Sequence, residues 1–145
     1  MDIQPSRAAR RFMRVTWVGI AANLALATPT LLAPERMLAF SRLPPAVPLL
    51  WLQFAALLLI LLSAFYVPAA LNPNRYRLVA WLAVGARLAG VVFFLGFQPH
   101  EYNLFGYFDF VFFVPEGLLL VVLARESAPH AEQAGTTGAV GGRLR

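Results

Sequence analysis

Four apolar runs, each about as long as a membrane is thick, constrain this chain more than any other feature of its sequence. They cover residues 12–32, 47–67, 78–97 and 104–123. A helix needs roughly 20 predominantly apolar residues to cross a hydrocarbon core that is about 30 Å thick. Because a backbone in lipid must satisfy its own hydrogen bonds, the predicted fold is all-α, an integral membrane four-transmembrane-helix bundle with short loops.

The composition agrees with a lipid-facing surface. Hydrophobic residues make up 59% of the 145 residues and charged residues 13%, against about 25% charged residues in soluble domains. We therefore expect one transmembrane domain over residues 1–125. The polar, Gly-rich residues 126–145 predict a disordered cytoplasmic tail. The net charge of +5 forms no continuous patch between the runs, so a nucleic-acid partner is not expected.

The arginines predict the orientation of the bundle. All twelve basic residues are Arg, and nine of them flank the runs on one side, before the first, between the second and third, and after the fourth. The opposite side carries only Arg36 and Arg42, and Arg87 falls inside a run. The positive-inside rule then places both termini in the cytoplasm.

The first run has an alternative interpretation as a cleaved secretory signal. It follows the basic segment "RRFMR", and "ALA" at residues 25–27 resembles a cleavage site. The run continues to residue 32, which is long enough for a true span. We favour an uncleaved first helix.

The connection after the first run contains the segment "PERMLAFSRL". Pro34 suits the first position of a helix, and Glu35 suits its first turn. A short helix at the membrane interface is one prediction for this segment, and an irregular loop is the other.

Three charged residues lie inside the predicted membrane region. Arg87 is about ten residues into the third run, and an unpaired central Arg costs at least ~2.5 kcal/mol. Glu116 in the fourth run is close to the same depth, and Asp109 is two turns away on the same face. We expect both carboxylates to face the bundle interior and to contact Arg87.

Other polar residues are candidates for the same interior site. Asn23 lies near the middle of the first run, Gln53 early in the second, and Tyr66 at its end. Together with Arg87, Asp109 and Glu116 they form either a ligand-binding site or a purely structural polar cluster. The spacing of Gly85 and Ala89, and of Ala86 and Gly90, predicts close helix packing.

The sequence provides little that would support catalysis. Cys is absent, which excludes disulfides, thiolate nucleophiles and Cys-ligated metals. His100 lies in a loop and His130 in the tail, so no metal site or haem site is predicted. No catalytic residue is assigned, and we do not predict an enzyme.

Three segments, "YVPAALNPNRYR", "GARLAGVVFFL" and "FDFVFFVPEGLLL", carry a family resemblance. Together with the layout of the runs over residues 12–124, they resemble small four-helix bacterial membrane proteins of the DoxX-like kind. The resemblance implies a bundle in the bacterial inner membrane. In some relatives it implies an association with respiratory or sulfur redox systems and with quinones.

Three functions are compatible with these features. The first is an accessory or interaction subunit of a larger membrane complex, of a respiratory or electron-transfer kind. The second is a quinone- or lipid-binding bundle in which Arg87 and the two acids form the polar end of the site. The third is a small oligomeric proton-coupled transporter. The expected partners are the lipid bilayer and other membrane proteins or further copies of the chain.

Overall fold

The structure, a computed structural model, describes the backbone of residues 5–141 and the side chains of residues 5–126. The chain forms α1 (Arg7–Leu32), α2 (Pro34–Ser41), α3 (Leu49–Leu71), α4 (Arg77–Gly96), a 3-10 turn (His100–Tyr102) and α5 (Asn103–Gly141). Residues 5–141 contain no strand. The predicted all-helical class is confirmed.

Four helical segments are long and apolar enough to cross a membrane. They are α1, α3, α4 and the part of the chain from His100 to Glu126. Large apolar side chains cover their outer faces, for example Trp51 at 65% exposure and Phe65 at 68%, whereas Arg87 and Glu116 are buried. This distribution is the reverse of that in a water-soluble protein, and it suits a protein surrounded by lipid.

Helices α1 and α3 extend beyond the apolar runs from which they were predicted. α1 begins at Arg7, five residues before the predicted span, and the Ser6 hydroxyl accepts a hydrogen bond from the Ala9 backbone N–H at 3.2 Å. Such a cap satisfies one of the free N–H groups at the helix start. α3 passes through Pro68 and ends at Leu71.

The segment after α1 is the predicted short helix, so the irregular loop is wrong. α2 begins at Pro34, which lacks the N–H that the first turn leaves unpaired anyway, and Glu35 lies in the first turn. It ends at Ser41, and the left-handed backbone conformation of the next residue, Arg42 (φ 54°), caps the helix. None of its residues is fully buried.

The backbone of α5 continues as helix to Gly141, beyond the point where the sequence predicts a disordered tail. The side chains of residues 127–141 and the whole of residues 142–145 lie outside the described part of the chain. The disordered state of residues 126–145 stays a prediction.

α1 is the central helix of the bundle. It packs against α3 on one side and α5 on the other, and α4 packs mainly against α5. One end of the bundle is here called the Arg-rich end. It contains the start of α1, the end of α3, the start of α4 and the region of α5 near Leu123. The opposite end, where α2 and the 3-10 turn lie, is called the α2 end.

The apolar core is concentrated at the Arg-rich end. Small side chains let the helices approach there, with Ala69, Ala70, Ala80 and Ala83 each at most 1% exposed. α3 contacts α4 in this region, where Ala70 and Ala83 belong to one buried cluster. α3 and α5 lie diagonally across the bundle, because each of them packs against both α1 and α4 while their own backbones stay apart in the described part of the chain. At the α2 end the interior between these two helices contains a space that residues of both helices line.

Candidate functional site

A buried ion-pair cluster joins α4 and α5 inside the bundle. Arg87 Nε donates to Glu116 Oε2 at 3.1 Å, and Arg87 Nη1 donates to Asp109 Oδ1 at 3.2 Å. Arg87 and Glu116 are 2% and 1% exposed, whereas the Asp109 side chain is 22% exposed. The expected contact of Arg87 with both acids is thus present.

Aromatic rings and one glycine enclose the guanidinium. Its central carbon lies 4.6 Å from the centre of the Phe112 ring and 5.8 Å from that of Tyr66. Gly19 of α1 lies against Nη2, and a Cβ atom at this position would collide with that nitrogen. Contacts of a cation with ring faces partly replace the water that Arg87 loses on burial.

The Asp109 side chain packs in a similar way against a glycine of α4. A Cβ atom at Gly90 would collide with Asp109 Oδ2 and lie 2.9 Å from its Cγ. The predicted close approach at Gly90 is therefore made by the Asp109 side chain. At Gly85, the other glycine of the predicted packing motif, an added Cβ atom would have no neighbour within 4 Å.

The cluster contains more negative than positive groups. One arginine faces two carboxyl groups, and Arg87 Nη2 is buried without a hydrogen-bond partner among the described residues, whereas Glu116 has the Thr16 hydroxyl beside it as a further hydrogen-bonding group. A buried pair stabilises a protein only when its remaining donors and acceptors are satisfied. The unpaired N–H groups of Arg87 Nη2 leave hydrogen-bonding capacity at this site.

A cavity of about 570 Å³ lies at the α2 end, beside the cluster. α1, α3 and α5 form its walls, Phe94 of α4 contributes to the lining, and α2 with the following loop covers it. Most of its lining is apolar; the polar residues are Asn23, Thr30, Ser41, Tyr102 and Asp109. Asp109 therefore belongs both to the ion-pair cluster and to the cavity wall.

The remaining predicted site residues occupy three different places. Tyr66 is buried beside Arg87, as described above. Asn23 lines the cavity and donates from Nδ2 to Ser63 Oγ at 3.1 Å. Gln53 lies apart from the cluster and donates from Nε2 to the Leu31 carbonyl at 3.1 Å, where the last turn of α1 leaves carbonyls unpaired.

Several functional candidates have no clear signal in the sequence. Ser63 is 1% exposed and Thr16 is fully buried, and each is a single hydroxyl in an apolar run. The Ser63 hydroxyl also donates to the Leu59 carbonyl at 2.8 Å, within its own helix. Phe112 is one of many phenylalanines in its run, so its place over Arg87 follows only from the packing of α4 and α5.

No group of three His, Asp or Glu side chains that could hold a metal occurs among the described residues. Comparisons with protein-family models, curated proteins and solved structures returned no match to this chain. The DoxX-like resemblance stays a prediction. Any functional inference therefore depends on the site itself.

Proposed function

We propose that the protein binds a lipid-like molecule with an apolar body and a polar end, such as a quinone, in the cavity at the α2 end. The observation that carries the proposal is the position of Asp109. Its carboxylate lines an otherwise largely apolar cavity while Oδ1 accepts a hydrogen bond from the buried Arg87. A site of this kind can accommodate an apolar molecule and orient its polar end.

The size and lining of the cavity support this proposal. Pockets for small molecules typically occupy about 300–1,000 Å³, with mostly hydrophobic walls and a few polar groups that fix the orientation of the ligand. The volume of about 570 Å³ falls in that range. Phe94, Phe105 and Phe108 contribute ring surfaces to the wall. These suit a flat ring, because aromatic groups prefer stacked or edge-to-face contacts.

The polar end of the ligand would lie toward Asp109 and Asn23. A carboxylate accepts hydrogen bonds, so a hydroxyl of the ligand, as in a quinol, can donate to Asp109. The Asn23 amide can bond a ligand carbonyl or hydroxyl if it exchanges its contact with Ser63. Arg87 would act on the ligand indirectly, because its hydrogen bond fixes the Asp109 carboxylate that the ligand contacts.

Access to the cavity is expected from the bilayer. α3 and α4 are neighbours whose shared buried clusters lie at the Arg-rich end, so the gap between them at the α2 end would face lipid. From the distribution of the arginines we infer that the Arg-rich end faces the cytoplasm of a bacterial inner membrane. The cavity would then lie in the outer half of that membrane.

Native mass spectrometry of the protein, gently extracted from its host membranes, tests ligand binding. We expect a bundle that retains a small molecule of a few hundred daltons, as the cavity volume suggests. Ala55→Trp, which places a large side chain in the cavity wall, should remove that mass. Ala64→Trp is the matched control, because residue 64 lies nine positions further along α3, on the opposite side of the helix.

Two outcomes would contradict this assignment. A folded protein without any retained molecule would contradict ligand binding, as would equal retention by the Ala55→Trp and Ala64→Trp variants. Additional polypeptides in the same spectra would instead support the expected role as a subunit of a larger membrane complex. That role and ligand binding are compatible with each other.

Proton-coupled transport remains the second candidate, and the surplus carboxyl group of the cluster favours it. A buried site with one arginine and two carboxyl groups can carry a proton, as carboxylates within membranes often do. Proton flux into liposomes that Glu116→Gln abolishes would support transport. Flux indistinguishable from that of empty liposomes would exclude it.

A further inference from the structure

A groove separate from the cavity lies at the Arg-rich end, on the side of the bundle between α1 and α5. It has a volume of about 460 Å³ and is lined by Arg11, Arg14, Val15, Pro115, Leu118 and Leu119. α1 provides the two arginines and one wall residue, and α5 provides the other apolar surface. This groove shares no lining residue with the cavity at the α2 end.

We propose that this groove binds one anionic phospholipid, with its phosphate on Arg11 and Arg14 and an acyl chain along the apolar surface of α5. The proposal is independent of the ligand suggested for the cavity. It requires only that the helices cross a membrane.

The two arginines are available for such a ligand. Arg11 and Arg14 are three residues apart on α1, so their side chains extend from the same face of the helix. Both are exposed, and neither forms an ion pair with an acidic side chain among the described residues. Guanidinium groups bind phosphate oxygens through paired, charge-assisted hydrogen bonds.

The start of α1 favours an anion for a further reason. Arg7, Arg10, Arg11 and Arg14 all lie in its first eight residues, and no acidic residue occupies the first turn. The N-terminus of a helix already carries a partial positive charge, so these arginines repel it and one another. A bound phosphate group would reduce that repulsion.

The groove lies at the depth where a phospholipid changes from headgroup to acyl chain. Arg14 is seven residues beyond the start of α1, or about 10 Å along the helix. Leu118 is the same number of residues before Arg125 on α5, which runs antiparallel to α1. Leu118 is 65% exposed at this depth, and Pro115 continues the groove about one turn deeper into the membrane. Basic pockets between membrane helices bind anionic lipid headgroups in this way.

The experiment compares two lipids with the same acyl chains, phosphatidylglycerol and phosphatidylcholine, added to the purified full chain in detergent. Native mass spectrometry should show phosphatidylglycerol bound roughly tenfold more tightly. The double variant R11Q/R14Q should lose this preference. The double variant R75Q/R77Q removes the same charge at the same end, outside the groove, and should keep it within about twofold.

Three results would overturn the proposal. Equal binding of the two lipids would exclude a site for an anionic headgroup. An equal loss in R11Q/R14Q and R75Q/R77Q would reveal general surface attraction without a defined site. Displacement of phosphatidylglycerol by millimolar inorganic phosphate, a roughly tenfold or larger loss of bound lipid, would show that a free anion and not a phospholipid is the ligand.

Discussion

The Arg87→Ala variant is expected to lose about 3–5 kcal/mol of unfolding free energy, a large fraction of the stability of a small domain. The substitution removes the only basic group that contacts Asp109 and Glu116 among the described residues. Glu116 is 1% exposed and would then be a buried acid without its counter-charge. Reversible unfolding in detergent or bicelles, measured by steric trapping or denaturant titration, gives the difference directly.

Two further variants separate the loss of charge balance from the loss of packing. The triple variant Arg87→Met, Asp109→Asn and Glu116→Gln removes all three charges at similar volume, and it should recover most of the lost stability. Arg36→Ala changes an exposed arginine and should alter stability by less than about 0.5 kcal/mol. A triple variant as unstable as Arg87→Ala would contradict the electrostatic explanation.

The second large effect concerns a single glycine. Gly19→Ala should destabilise the bundle by about 1–3 kcal/mol, the usual cost of adding volume to a packed core. The new methyl group would collide with Arg87 Nη2, and it would lie 3.3 Å from Phe112 Cδ1. The guanidinium cannot move aside easily, because Nε and Nη1 are bound to Glu116 and Asp109 on its other edges.

Gly85→Ala is the matched control, with an expected effect of opposite sign. A Cβ atom at Gly85 has no neighbour within 4 Å, and Ala is favoured over Gly within a helix by up to about 1 kcal/mol. The same unfolding measurement should therefore show Gly85→Ala unchanged or more stable. Equal destabilisation by the two substitutions would mean that Gly19 has no special role beside Arg87.

The main features of the fold follow from simple properties of the sequence. Continuous apolar runs are enough to predict the spans, because lipid excludes any backbone that is not hydrogen-bonded within its own segment. The ends of the helices are less predictable: Arg7 and Arg10 extend α1 before its apolar run, since Arg is a good helix former. α2 is marked by Pro34 and Glu35 at its start.

The candidate site was partly predictable, because depth in a membrane is proportional to residue number. Counting along two antiparallel spans places Glu116 near Arg87, and the two-turn spacing adds Asp109. The same count cannot give rotation about a helix axis. Gln53 is a candidate for the same interior site by its place in the second run, yet its side chain donates to the Leu31 carbonyl at the end of α1. The positions of Ser63 and Phe112 depend on such rotations too.

The cavity was not predictable from the apolar pattern. A lipid-facing leucine and a cavity-lining leucine have the same sequence signal, because both environments are apolar. The cavity arises because α3 meets α4 through small residues such as Ala70 and Ala83 at the Arg-rich end, whereas no buried cluster of the described residues joins these two helices at the α2 end. Only the relative tilt of whole helices distinguishes such an arrangement from a closed bundle.

The gap between α3 and α4 at the α2 end also determines how binding to this protein must be described. A ligand that reaches the cavity through this gap diffuses in two dimensions, dissolved among the acyl chains of the bilayer. Occupancy of the cavity then depends on the mole fraction of the ligand in the lipid. The aqueous concentration of the ligand matters only because partitioning into the bilayer relates it to that mole fraction. For a ligand that gains about 0.8 kcal/mol per buried CH₂ on entering lipid, a longer chain raises the apparent aqueous affinity without any new protein contact.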